Sequence, residues 1–291
     1  MASADELIEK GQELLEKGDY KKAFNTFEKA LNEDPKNASA HFGKAEATVG
    51  LPKITPQEAG ALYRQAIEAD PENAFFYTSY ADFCLSNGWL KPAEENYLKA
   101  AEVDPDNEPM YLNDLAVGYY ESGTLFLERQ LGMTREDIAR NAITYALKAY
   151  GLDPDGAKSL FDEMSSSEQL SKPKTDPKDV EDLSKEPEGK EMLGLIEKEP
   201  GNPLNLLTFG QMCIERGKLD TGAAYFYKAI DQDPDNSKYF FSDLAVGVFI
   251  SGRELAEQGK AERSDIQKRS LYYCMMAMGF EPTRAKDILY G

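Results

Sequence analysis

The chain has 291 residues, with 33 Lys and Arg against 52 Asp and Glu, a formal charge of −19 at pH 7. Such a surface repels phosphate backbones and anionic headgroups, so nucleic acid and membrane surfaces are disfavoured as partners. No apolar run approaches the roughly 20 residues of a membrane span, and the opening MASADELIEKGQ lacks a basic region followed by an apolar core, so the expected location is cytoplasmic. Cys84, Cys213 and Cys274 lie far apart inside apolar helical patterns. They suggest buried thiols and neither a disulfide framework nor a metal site.

Residues 4 to 37 carry small or apolar residues at Leu7, Gly11, Leu14, Ala23, Phe27 and Ala30 around a Gly18-Asp19 turn, and Pro35 closes the unit. That spacing predicts two amphipathic helices. Gly11 and Ala23 permit close backbone approach, while Leu14 and Phe27 fill the space beside them. The pattern returns at Ala45, Ala59, Ala66 and Pro71, with two extra residues in the turn GLPKITP, and again at Ala81, Gly88, Ala93, Ala100 and Pro105. A further regular unit, from Pro203 to Asn236, carries Gly210, Gly217, Phe226, Ala229 and Pro234.

Small residues at these places and a closing proline resemble the tetratricopeptide repeat, whose period is about 34 residues. The resemblance covers nearly the whole chain. It implies an all-α, right-handed α-solenoid of helix-turn-helix repeats.

Repeats four and six are long, and they are copies. DPDNEPMYLNDLAVGYYESG at 104–123 and DPDNSKYFFSDLAVGVFISG at 233–252 share eleven of twenty positions at an offset of 129, so the array is internally duplicated. From Pro105 to Pro154 is 49 residues and from Pro234 to Pro282 is 48. The excess predicts helices prolonged past Gly123 and Gly252, turning near Gly132-Met133-Thr134 and near Arg263-Ser264, with Thr134 and Ser264 as N-caps. Each hairpin is then expected to project by about 10 Å. AKSLF at 157–161 and AKDIL at 285–289 read as capping helices that cover the last apolar face of each array.

Residues 165–186 are acidic, and their apolar residues are Leu170, Val180 and Leu183. They read as a flexible linker with room for one short docked helix in DPKDVEDLSK. Gly189 to Glu199 aligns with Gly60 to Asp70, the second helix of a repeat whose first helix is missing. The expected organisation is a first array over 1–164 with four repeats and a cap, a linker over 165–186, and a second array over 187–291 with a half repeat, two repeats and a cap.

Chemistry is sparse. The single histidine, His41, stands where a first helix packs within a repeat, no phosphate-binding glycine loop follows a strand, and acidic pairs such as Glu94-Glu95 read as solvated helix surface. No catalytic residue, metal or cofactor is expected, and the chain reads as a non-enzyme. The resemblance implies a groove lined by the first helix of each repeat. One version of that groove clamps a partner's C-terminal carboxylate with Lys, Asn and Arg; the matching positions here hold Ile8, Gln12, Gly43, Phe75 and Ser79, so no heat-shock tail is expected as ligand.

The groove candidates by helical spacing are Phe42, Glu46, Phe75, Asp82, Asp114, Val117 and Tyr120, then Gln211, Asp243, Val246 and Phe249. An apolar floor with carboxylates around it suits a basic or amphipathic peptide. Asp114 and Asp243 hold the same place in the two DLAVG copies, where Gly118 and Gly247 favour a packing role for the motif. Leu125, Phe126, Leu131 and Met133 make the first long hairpin apolar at its tip, a candidate docking surface, whereas its copy RELAEQGKAE is mostly polar. The expected function is a protein-interaction adaptor or assembly scaffold. The alternative is a structural subunit that self-associates or docks into a larger complex through that hairpin and the open half-repeat.

Overall fold

A computed structural model describes residues 2–291, and among them there are seventeen α-helices and no strand. None of these helices is long and apolar enough to cross a membrane. The chain forms two compact units, one through Tyr111 and one from Leu112 to Gly291.

The first unit contains three helical hairpins: α1 (Ala4–Glu16) with α2 (Tyr20–Glu33), α3 (Ala38–Glu46) with α4 (Pro56–Ala69), and α5 (Ala74–Ser86) with α6 (Leu90–Val103). Ser3 and Thr55 start α1 and α4 with reciprocal capping boxes to Glu6 and Glu58, which satisfy amide donors that have no intrahelical partner. Phe27 of α2 is fully buried and is the reason for two glycines. A Cβ on Gly11 would stand 2.6 Å from its ring, and one on Gly43 would overlap it, so α1 and α3 close over one aromatic side chain from either side.

The boundary between the units falls inside α7 (Glu108–Leu125). The second unit continues with α8 (Arg135–Ala149), α9 (Lys158–Ser166), α10 (Glu168–Ser171), α11 (Pro177–Leu183), α12 (Pro187–Lys198), α13 (Pro203–Glu215), α14 (Leu219–Gln232), α15 (Ser237–Glu257), α16 (Arg263–Ala277) and α17 (Pro282–Tyr290). The compact units therefore divide in the fourth repeat, upstream of the expected boundary at 164.

The first long hairpin turns through a 3-10 segment, Leu127–Arg129, and Thr134 caps α8 in a capping box with Asp137. The second turn corrects an expectation. Its helix begins at Arg263, because the Glu262 carbonyl already accepts from the amides of Asp265 and Ile266, so Ser264 lies inside the helix instead of capping it.

Residues 165–186 are anchored, not a flexible linker. Leu170 and Leu183 are buried, Tyr227 donates to the Leu170 carbonyl at 2.9 Å, and Thr221 bridges the segment by accepting from the Asp176 amide at 3.0 Å and donating to Asp179 at 2.7 Å. Few apolar residues suffice because α14 supplies polar partners to this backbone. Leu183 also joins the core of Phe209, Cys213 and Tyr225, and its carbonyl lies against Gly189 so closely that any side chain there would collide. Thus α11 stands in for part of the first helix missing from the half-repeat.

The two caps cover each other. Phe161 of α9 packs edge-on to Tyr290 of α17 with ring centroids 6.1 Å apart, and Lys286 donates to both Asp162 oxygens at 2.5 Å.

Candidate functional site

In the first unit, helices α3 and α5 bring four of the expected groove residues together. Phe42 of α3 meets Phe75 edge-on at 5.1 Å and Phe76 at 5.3 Å, and it also meets Tyr63 of α4 at 6.1 Å. Phe76 and Tyr63 are buried beneath, whereas Phe75 is 58% exposed. A large apolar ring in that state forms the top of an aromatic floor.

Carboxylates stand beside this floor. Glu46, at the end of α3, accepts from the Tyr63 hydroxyl, and Asp82 of α5 accepts from the Tyr97 hydroxyl of α6. Part of Asp82 reaches solvent, yet desolvation by its neighbours pushes its pKa above the ordinary carboxylate value, and the bond from Tyr97 pulls in the opposite direction. Burial raises the Tyr63 hydroxyl pKa, and acceptance by Glu46 raises it further, so it stays a donor. An open cleft of about 640 Å³ runs from Phe75 past Asp70, Glu72, Asp104 and Tyr111, which extends the acidic rim. Asp104 accepts from Asn107 at 2.8 Å and from Tyr111 at 2.7 Å, and these bonds hold its carboxyl below the usual range.

The remaining groove candidates lie in the second unit, and several of them are covered by the chain itself. Tyr120 packs on Phe280 at 4.6 Å, and Phe249, buried, packs on Tyr150 at 5.1 Å. Val117 and Val246 are half-buried. Asp114 is half-buried, with the amide of fully buried Asn113 3.3 Å from its Oδ1. Asp243 keeps part of its surface, and desolvation alone pushes its carboxyl above the ordinary value. Gln211 donates to Glu215 at 3.1 Å. The expectation that this set lines an open groove is corrected for Tyr120 and Phe249, because the first helices of the two long repeats turn their inner faces toward the opposite copy.

At the first long hairpin, Leu131 is 95% and Leu125 is 68% exposed, whereas Phe126 and Met133 are half-buried. The Arg129 guanidinium lies 4.5 Å from the Phe126 ring centre. The three thiols are buried, and burial pushes each of Cys84, Cys213 and Cys274 up to about 12. Among the described residues no group of three or more His, Cys, Asp or Glu is placed to hold a metal ion.

The site residues missed by helical spacing are Tyr63 and Tyr97. They belong to second helices, which a search for groove-facing first-helix positions passes over. Their signal is a comparison of repeats position by position: Tyr63 and Tyr97 stand where Phe27 and Phe226 stand elsewhere.

A family model described as TPR repeat matches residues 11–49, and one described as Tetratricopeptide repeat matches residues 76–107. Among solved structures, YrrB, described as a TPR protein with an unusual peptide-binding site, is 15% identical, with 80% of this chain and 88% of that one covered at a TM-score of 0.38. PilW, a widely conserved type IV pilus biogenesis factor, is 16% identical, with 91% and 90% covered at 0.41. A tetratricopeptide repeat protein from Parabacteroides merdae is 17% identical, with 98% and 97% covered at 0.37. No curated protein matches the chain. With small residues and closing prolines folded into successive helical hairpins, and family models matching on two stretches of them, this chain carries tetratricopeptide repeats over residues 11–49 and 76–107.

Proposed function

We propose that this chain is a non-enzymatic interaction scaffold that holds a basic or amphipathic peptide against α3 and α5. Tetratricopeptide repeats support a role in protein–protein interaction or scaffolding. The finer reading rests on one observation: exposed Phe75, on the aromatic floor with Phe42, lies among carboxylates that have no basic partner. Neither Glu46 nor Asp82 forms an ion pair with a described residue. An aromatic anchor gives affinity, and the surrounding charge gives orientation and on-rate.

The test is fluorescence anisotropy with labelled amphipathic peptides of matched length, one basic and one acidic. The basic peptide is expected to bind with strong salt dependence, and Phe75→Ala is expected to weaken it about tenfold. Equal binding of the acidic peptide, or no binding of the basic one, sinks this reading.

A second reading, docking or self-association, is favoured by exposed Leu131 and Leu125 at the hairpin tip. Light scattering decides it. A species heavier than 32.5 kDa that dissociates in a Leu125→Asp, Leu131→Asp variant supports self-association, and a monomer at all concentrations removes it.

A further inference from the structure

Glu46 and Asp82 hold the same position in consecutive repeats, one residue after the fully buried Ala45 and Ala81. Each is met by a tyrosine hydroxyl from one fixed position of its own second helix, Tyr63 and Tyr97. In the first repeat those two positions hold Gln12 and Phe27, and in the fifth they hold Gln211 and Phe226. The long repeats place Ala116 and Ala245 where the acid would be. Acid is therefore present only where a tyrosine hydroxyl meets it, and where phenylalanine replaces tyrosine an amide replaces the acid.

Packing does not demand this pairing. Phe27 and Phe226 fill the equivalent space without a hydroxyl, at 0% and 2% exposure. What the hydroxyl adds is a fixed orientation. It engages one carboxylate oxygen of each acid, and no described Lys, Arg or His forms an ion pair with either one. A receptor held in its binding geometry loses less conformational freedom when a ligand arrives.

We propose that Glu46 and Asp82 are tyrosine-positioned cation receptors that read two basic side chains of one extended peptide lying over Phe42 and Phe75. The proposal rests on the groove reading above and names its specificity. Packed helices stand about 8–10 Å apart. A polyproline-II peptide rises about 3.1 Å per residue with three residues per turn, so side chains three apart share a face at about 9 Å. The preferred ligand carries Arg or Lys at i and i+3.

The experiment uses the full chain and labelled, end-blocked dodecapeptides with two arginines separated by two, three, four or five positions in one Ala/Pro/Leu background. The variants are Glu46→Gln with Tyr63→Phe and Asp82→Gln with Tyr97→Phe, combinations that this chain already uses in repeats one and five. Wild type is expected to prefer the i, i+3 peptide. Each double exchange is expected to weaken it about tenfold, both together about a hundredfold, with the spacing preference lost. The single changes Tyr63→Phe and Tyr97→Phe, which keep both acids, are expected to weaken it about threefold and guard against a fold defect in the doubles. If the peptides bind wild type and the exchanges leave affinity and spacing preference unchanged, the receptor proposal is overturned and the groove reading survives. If no arginine peptide binds wild type, both fall together.

Discussion

Asn113 and Ser242 stand 129 positions apart, the offset of the duplication itself, and the amide of one donates to the hydroxyl of the other at 2.8 Å. Equivalent positions of two copies therefore meet face to face. Asn113 also accepts from the Tyr150 hydroxyl at 2.7 Å, so one fully buried amide joins both copies and the second helix of its own repeat. Asn113→Ala removes the acceptor of the Tyr150 hydroxyl proton and the donor to Ser242. Leaving such groups unpaired costs about 1–3 kcal/mol each, and a loss of about 2 kcal/mol is expected in urea denaturation. A change below about 0.5 kcal/mol, the range of surface substitutions, would show that the bridge carries no stability.

The closure of α1 and α3 over Phe27 predicts an intolerant glycine. Gly43→Ala forces a methyl into the ring, and overpacking of this kind costs about 1–3 kcal/mol. Thermal unfolding reads the loss, and Phe27→Leu in the same chain is expected to recover part of it by removing the obstructing ring.

Cys84, Cys213 and Cys274 should not react while the chain is folded. Burial lifts each thiol to about 12, so at pH 8 the nucleophilic thiolate is scarce as well as inaccessible. Ellman's reagent is expected to label none in native buffer and all three in urea. Fast labelling of any one in native buffer contradicts its placement.

Asp82 gives the groove a pH dependence with a definite sign. Its folded-state pKa lies above the ordinary carboxylate value, so it takes up a proton earlier than an exposed aspartate as the pH falls. A cationic ligand needs the ionised form. Affinity for a basic peptide is therefore expected to fall on acidification, beginning above the ordinary aspartate range. Stability in the absence of peptide runs the other way for this group: the folded state gains from Asp82 as pH falls through the raised value toward the unfolded one, and that gain is lost above it. Comparing wild type with Asp82→Asn isolates both effects, because the variant removes the titration and keeps the side chain's size.

The periodic small residues and prolines made the helical hairpins legible. Gly11, Ala23 and Phe27 define a packing geometry by size alone, and size is written in the residue type. Three features were not legible, each for a physical reason. Residues 165–186 carry too few apolar residues to announce a packed segment, and their anchoring depends on Thr221, Asp220 and Tyr227 of a helix far along the chain. Phe249 and Tyr120 have the spacing of groove residues whether a ligand or another part of the same chain covers them. The hydroxyls on Glu46 and Asp82 come from second helices, so first-helix spacing marks the acids as groove charges and carries no sign of the tyrosines that meet them.

The mutual covering of α9 and α17 sets an order of events during synthesis. The first unit is built from hairpins between neighbours in sequence, so α1 to α6 can fold while the rest of the chain is still being made. Phe161 and Asp162 must wait for Lys286 and Tyr290, which lie 124 and more positions downstream. At about 5–20 residues per second, that leaves the inner faces of α7 to α9 uncovered for about 6–25 seconds on the ribosome. Within that window the same faces on a neighbouring nascent chain are equivalent partners, which makes exchange of α15 to α17 between chains the characteristic misassembly of this molecule.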